Sequence, residues 1–296
     1  MFGLLHNEYH GFSHGNCAMS PWKHGYCQMF SLTAAESRDG GRHWNHLRPP
    51  PRHLVATVPH KYVNDQSNLW FGWGDSAGIV RSPVDGYLYT TAHNRASIGG
   101  QANGTCLMRT RDLLDPTSWR GWNGTHFSVS FVDPYTAYLP DSHICRVLED
   151  EPSGRGLPRA QPARGVCCRG KPLVAQGLVW SRYLHKFVIV LWNTAHDPSI
   201  GGGAAFVFAL SDDLIVWSRV APLPLPHLPD GNLAYPSLLD PAAESGGPGT
   251  SFDVIGRTPW LFFGLGNPKG TGIANHWDAL VRVPLDFGGG AHTPGE

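Results

Sequence analysis

Ser37-Arg38-Asp39-Gly40-Gly41-Arg42-His43-Trp44 is the stretch that decides the fold class. It follows one apolar segment of strand length, Cys27–Ala35, and runs into another, Trp44–Leu47. Ser37 and Asp39 are short polar side chains that hydrogen-bond nearby turn amides. Gly41 accepts a backbone conformation closed to most residues, and Trp44 supplies a large apolar plane. The eight residues read as a stapled link between strands, with Trp44 expected to be buried. Two looser copies follow, Ser211-Asp212-Asp213-Leu214-Ile215-Val216-Trp217 and Thr110-Arg111-Asp112 with Trp119. Asp112 and Asp213 lie 101 residues apart, about two units of a β repeat of roughly 40–50 residues.

Composition agrees. The 296 residues carry 23 basic and 23 acidic side chains, so no basic field invites nucleic acid or an anionic membrane. Gly (36) and Pro (25) are too many for a helical bundle, and 11% aromatics are too many for a disordered chain. No apolar run approaches the ~18 residues of a membrane span. Met1-Phe2-Gly3-Leu4-Leu5-His6 reads as the middle of a strand rather than a signal peptide, so a preceding segment is expected to be missing. An even count of six cysteines and two sequons, Asn103-Gly104-Thr105 and Asn123-Gly124-Thr125, point to a secretory origin and a glycoprotein. Cys17 and Cys27 flank a short excursion between strands and are expected to form a disulfide; one of Cys167 and Cys168 is expected to reach Cys145.

Strand-length segments recur at Phe2–Tyr9, Ala77–Arg81, Tyr87–His93, Thr105–Arg109, Ser118–Trp122, Leu173–Ser181, Lys186–Asn193, Ala204–Leu210, Val216–Val220, Tyr235–Leu239, Pro259–Leu265 and Ala279–Asp286. Asp85-Gly86 marks a hairpin turn. Groups of about four strands indicate an all-β five-bladed β-propeller, a single domain over 1–296, with 151–172 and 288–296 as loops.

The Ser37–Trp44 stretch resembles the Asp box of sialidase-like propellers, and Ser211–Trp217 resembles the corresponding turn of arabinanase- and xylosidase-type glycosidases. Asp75-Ser76-Ala77-Gly78-Ile79-Val80, followed by Asp85-Gly86-Tyr87-Leu88-Tyr89, is similar to the opening of an arabinanase-type blade, where an Asp precedes the innermost strand. The resemblance implies a carbohydrate-active protein, a glycoside hydrolase, acting on an oligo- or polysaccharide as a monomer. The sialidase arginine triad and its Tyr–Glu pair are not recognisable.

The innermost strand of each blade lines a funnel, so functional groups are sought at strand starts. In His6-Asn7-Glu8-Tyr9-His10, residues two apart share a strand face, which groups His6, Glu8 and His10. A buried Glu between two His is costly unless it acts as an acid, base or ligand, or satisfies a neighbouring turn. Asp75 follows Leu69-Trp70-Phe71-Gly72-Trp73-Gly74, where Trp70 and Trp73 offer stacking faces for a sugar and the glycines allow close approach. The structural alternative is an Asp capping a turn between packing tryptophans. Hydrolysis needs a protonated acid and a second carboxylate; Glu8 is assigned the first role and Asp75 the second, with His6 or His143 orienting them. Arg95, Asp133, Asp141 and Tyr235 are candidate substrate contacts, the two Asp residues being turn formers on the plainer reading. Crowding of His and Glu at the N-terminus leaves no complete zinc set, so no cofactor is implied; a structural calcium in the channel is compatible with the pattern. The competing class is a non-catalytic glycan-binding or scaffold propeller using Trp70, Trp73 and Tyr235.

Overall fold

The computed structural model describes residues 1–18, 27–64, 70–136, 143–150, 152–158, 173–194, 196, 198–223, 225, 232–240, 242, 252–266 and 277–288. Among them there is no α-helix, only short 3-10 turns. Strands run in the order β1 (Phe2–His10), β2 (Gln28–Glu36), β3 (Asn45–His46), β4 (Leu54–Ala56) and β5 (Trp70–Gly74). Then come β6 (Val80–Arg81), β7 (Leu88–Asn94), β8 (Gly104–Thr110), β9 (Arg120–Trp122) and β10 (Phe127–Val129). The last are β11 (Leu173–Ser181), β12 (Lys186–Asn193), β13 (Phe206–Ser211), β14 (Ala221–Pro222), β15 (Asn232–Leu239), β16 (Val254–Ile255), β17 (Trp260–Gly266) and β18 (Trp277–Pro284). The protein is all-β with several sheets.

The chain divides into two compact units, Met1–Ser76 with Asp85–Leu148, and Ala77–Val84 with Glu149–Glu296. In the first, strands are ordered β1-β2-β5-β7-β8-β9-β10, with β3 and β4 also on β2. The β5-β7-β8-β9 run is antiparallel, whereas β2 and β5 meet in parallel from Gln28↔Trp70 to Phe30↔Gly72. All seven residues of β7 are buried, which explains a strand with no clean alternation. In the second unit β14-β13-β12-β11 is an antiparallel run of four, and β15-β17-β18 a run of three. Alternate residues of β17, Leu261 and Phe263, are fully buried and join Val188, Val190, Phe206 and Phe208 in that unit's core.

The three polar turns form as their residues suggest. Ser37 Oγ donates to Asp39 Oδ1 at 2.8 Å, and the amides of Arg42 and His43 donate to the same oxygen at 3.1 and 2.9 Å. Asp213 Oδ1 likewise receives the amides of Ile215 and Val216, and Thr110 Oγ1 the amide of Asp112. Because Val216 is held in that turn, the strand expected at Val216–Val220 begins only at Ala221. Trp217 and Trp119 are buried, but Trp44 is 40% exposed, contrary to expectation. Its indole donates to Gly41 O and its ring lies over Gly3, one face left to solvent.

Cys17 and Cys27 are disulfide-bonded, Cα atoms 5.8 Å apart. Cys145 pairs with Cys106, not with Cys167 or Cys168, which lie outside the described residues. The backbone bridge between Cys106 and Val147 brings the two thiols together, a long-range pairing that spacing does not reveal. No helix among the described residues is long and apolar enough to cross a membrane.

Candidate functional site

Strand β1 places His6, Glu8 and His10 in one row, because successive side chains of a strand alternate between faces. Glu8 Oε2 lies 2.7 Å from His10 Nε2, and Oε1 lies 3.7 Å from His6 Nε2. Gln28, paired with His10 across the ladder, presents its side-chain nitrogen 3.2 Å from His10 Nδ1. The opposite face is structural: Asn7 donates to Thr33 Oγ1, and Tyr9 packs on the rings of His14 and Tyr62. Glu8 is not buried as expected; its side chain is 42% exposed. The cause is topological, since β1 is the end strand of its sheet order and pairs there with β2 alone.

Asp75 arrives from the end of β5. Gly72 has a positive φ of 108°, and a Cβ there would stand 2.2 Å from Phe30 O, so only glycine lets β5 lie against β2. A Cβ on Gly74 would stand 2.6 Å from His6 Nε2, so this glycine leaves the room that the imidazole fills. Asp75 itself has a φ of 44°, in the left-handed region that Asp tolerates better than most residues. Such backbone is kept only where surrounding contacts hold it. Those contacts are present. Arg95 Nε and Nη2 donate to Asp75 Oδ2 at 2.9 and 2.6 Å, with the carboxylate side chain only 3% exposed. The Asp75 amide donates to His6 Nδ1 at 3.5 Å.

The imidazole of His6 thus stands between the two carboxylate-bearing residues, one nitrogen towards the Asp75 backbone and the other towards Glu8. Its Nε2 is buried without a hydrogen-bond partner among the described residues. Phe30 forms the floor, edge-on to His6 at 5.0 Å and 5.8 Å below the Arg95 guanidinium. Arg95 is in turn fixed from behind, its carbonyl accepting from Asn103 Nδ2 at 2.6 Å. The arrangement offers a buried, cation-paired carboxylate, an exposed carboxyl group able to exchange protons, and imidazoles that relay or orient.

The structure therefore brings together His6, Glu8, Asp75 and Arg95. The remaining candidates are placed as follows. Trp73 is fully buried with its ring edge-on to Phe131, so it fills the core and presents no stacking face, a correction to its expected role. Trp70 lies in β5, but its side chain is outside the described residues, as is Asp141 altogether. His143 Nδ1 bonds Ser130 O at 2.6 Å and touches neither Glu8 nor Asp75 by hydrogen bond or ion pair. Asp133 caps its own turn by accepting the Tyr135 amide, the plainer of its two readings. Tyr235 belongs to the second unit, half-exposed beside Trp192. Phe30 and Gln28 were not singled out from sequence; they join the site only through the β1–β2 register. Among the described residues no three His, Cys, Asp or Glu side chains are grouped to hold a metal ion.

No family model and no curated protein matches the sequence. Among solved structures the chain is similar to an endo-1,5-alpha-L-arabinanase from Thermotoga petrophila RKU-1, at 14% identity and a TM-score of 0.37, over 81% of this chain and 45% of that one. The chain thus spans less than half the length of that enzyme.

Proposed function

We propose that this protein acts on carbohydrate as a glycoside hydrolase, with Glu8 as general acid and Asp75 as base or nucleophile. The observation that carries this reading is the His6 imidazole set between Glu8 and the Arg95-paired Asp75. Glu8 delivers a proton to the leaving glycosidic oxygen, its exposure allowing it to be reprotonated from solvent. Both Arg95 bonds go to Asp75 Oδ2, so Oδ1 takes no part in the ion pair and is the atom for activating water or attacking the anomeric carbon. Two carboxylates and water suffice, and no cofactor is required. With this function go the finer features read from sequence: a five-bladed single-domain propeller whose polar turns are Asp boxes, secreted and monomeric, taking oligo- or polysaccharides.

A second reading, a non-catalytic glycan binder, is favoured by Tyr235. This aromatic is 51% exposed beside Trp192, with a φ of 57° at the irregular step of β15, so part of its ring is presented to solvent. Screening aryl glycosides and polysaccharides separates the two. The hydrolase reading expects turnover that falls about a thousandfold in Glu8→Gln and in Asp75→Asn with the fold intact. Glycan binding without turnover, lost in Tyr235→Ala and untouched by Glu8→Gln, establishes the binder instead.

A further inference from the structure

The opposite end of β7 carries a second constellation. Arg109 on β8 and Arg120 on β9 are direct cross-strand partners, so two cations stand side by side on one sheet face. Directly opposed like charges destabilise a sheet unless something of opposite sign joins them. Arg111 follows two residues after Arg109. Its guanidinium lies 4.2 Å from the centre of the Tyr87 ring and makes no hydrogen bond or ion pair with the described residues. Arg109 is held between aromatic planes, 4.0 Å from Tyr87 and 4.3 Å from Phe127.

These arginines line a cleft of about 390 Å³, a size suited to a small ligand. Two carboxylates, Asp112 and Asp115, line the same cleft and keep their charge, their oxygens oriented by local donors. Asp112 Oδ1 accepts the Leu114 amide, and Asp115 Oδ1 accepts the amide and hydroxyl of Thr117. Asp85 lies 3.4 Å from Arg109 but accepts the closer Tyr89 hydroxyl at 2.7 Å. Arg120 Nη1 donates to the Thr117 and Trp119 carbonyls at 2.8 Å each, and Arg109 Nη1 to the Tyr89 hydroxyl oxygen and Asp85 Oδ2 at 3.2 and 3.4 Å, so of the three arginines lining the cleft Arg111 is the one with no hydrogen bond or ion pair among the described residues. Stacking holds two of them in fixed planes, which lowers the entropy lost when their forks engage a ligand. Six residues of extended chain separate Tyr89 from Arg95, about 20 Å, so this cleft is distinct from the Glu8–Asp75 site.

We propose that the Arg109–Arg111–Arg120 cleft binds an oxyanion, the carboxylate or sulfate group of a small acidic ligand. Bidentate guanidinium contacts suit both groups, and the Arg111 fork, without a hydrogen-bond or ion-pair partner among the described residues, offers them. The proposal does not depend on hydrolysis at the other site. Isothermal titration of the full chain at low ionic strength tests it, with glucuronate, glucose 6-sulfate, inorganic sulfate and neutral glucose as probes. Glucuronate or glucose 6-sulfate is expected to bind and glucose not. Affinity should fall about tenfold or more in Arg111→Gln, fall less in Arg111→Lys, and stay unchanged in Glu8→Gln. Inorganic sulfate binding as tightly as the sugar anions assigns the cleft to a free anion. Arg111 is exposed in a turn, and an unchanged thermal midpoint of the unliganded variants verifies their fold. Absence of anion binding, or binding that Arg111→Gln leaves intact, overturns the proposal.

Discussion

Trp44 and Trp217 occupy matching places in two turns, each indole donating at 3.0 Å to the carbonyl three residues before it. Their surroundings differ: Trp217 is 2% exposed, whereas Trp44 keeps a face in solvent. Trp217→Ala should therefore cost about 3–5 kcal/mol and Trp44→Ala about 1–2 kcal/mol, read from denaturant midpoints. Equal losses would show that the two rings pack alike. Asp39 gives a second test at this scale. Hydrogen bonds from the His43 amide and imidazole, then from Ser37, hold its carboxyl down at about 2. A carboxyl lowered in the folded state stabilises fully above its unfolded value near 3.8 and loses that contribution as pH falls towards 2. Asp39→Asn should flatten the fall of the thermal midpoint within that window. Asp286, whose carboxyl is also lowered, by Arg257 and the Gly288 amide, is the same in both proteins.

At the scale of elements, β5 is the strand that joins fold to site. Its two glycines act differently. Gly72 faces the Phe30 backbone and has a positive φ, so any side chain there opposes the β2–β5 pairing itself. The nearest atoms to a side chain at Gly74 are those of the His6 ring. Gly74→Ala should cost about 1–2 kcal/mol of stability while displacing the imidazole that stands between Glu8 and Asp75. The expected outcome is an altered His6 ring resonance in NMR, together with loss of whatever turnover the chain supports. An unmoved His6 signal would mean that the backbone yields instead. Strand β7 links two polar clusters, with Arg95 leaving one end and Tyr89 beside Arg109 at the other, on a strand buried along its whole length.

Over the whole molecule, stability is distributed between two units, and both observed disulfides belong to the first. Cys106–Cys145 spans 39 positions of sequence and ties β8 to the segment before Val147. In the chain-entropy account a closure of that length contributes about 4 kcal/mol, against about 3 kcal/mol for the ten-position span of Cys17–Cys27. The double variant Cys106→Ala/Cys145→Ala should lower hydrogen-exchange protection in β7 and β8 while leaving β11–β13 unchanged. Equal loss in both sets of strands would show that the units unfold as one.

By itself the sequence determined what depends on short separations. Leu173–Ser181 and Lys186–Asn193 are strands over the spans their alternation and flanking turns mark, and the polar turns at Ser37, Thr110 and Ser211 form from residues within eight positions of one another. The shared face of His6, Glu8 and His10 is likewise a local property of a strand with period two. Strands β4, β5 and β10 carry no local strand signal: all are short, β4 and β5 are held by the distant β2 and β5 is Gly-rich, while β10 pairs with β9 through an irregular register. Tertiary structure alone decided the exposure of Glu8 and Trp44, the burial of Trp73, the Cys106–Cys145 pairing, and the registers that set Phe30 opposite Glu8 and Arg120 opposite Arg109. Register and burial follow from which strands meet across long separations. A one-residue slip would exchange every facing side chain, and no local pattern records which slip is avoided.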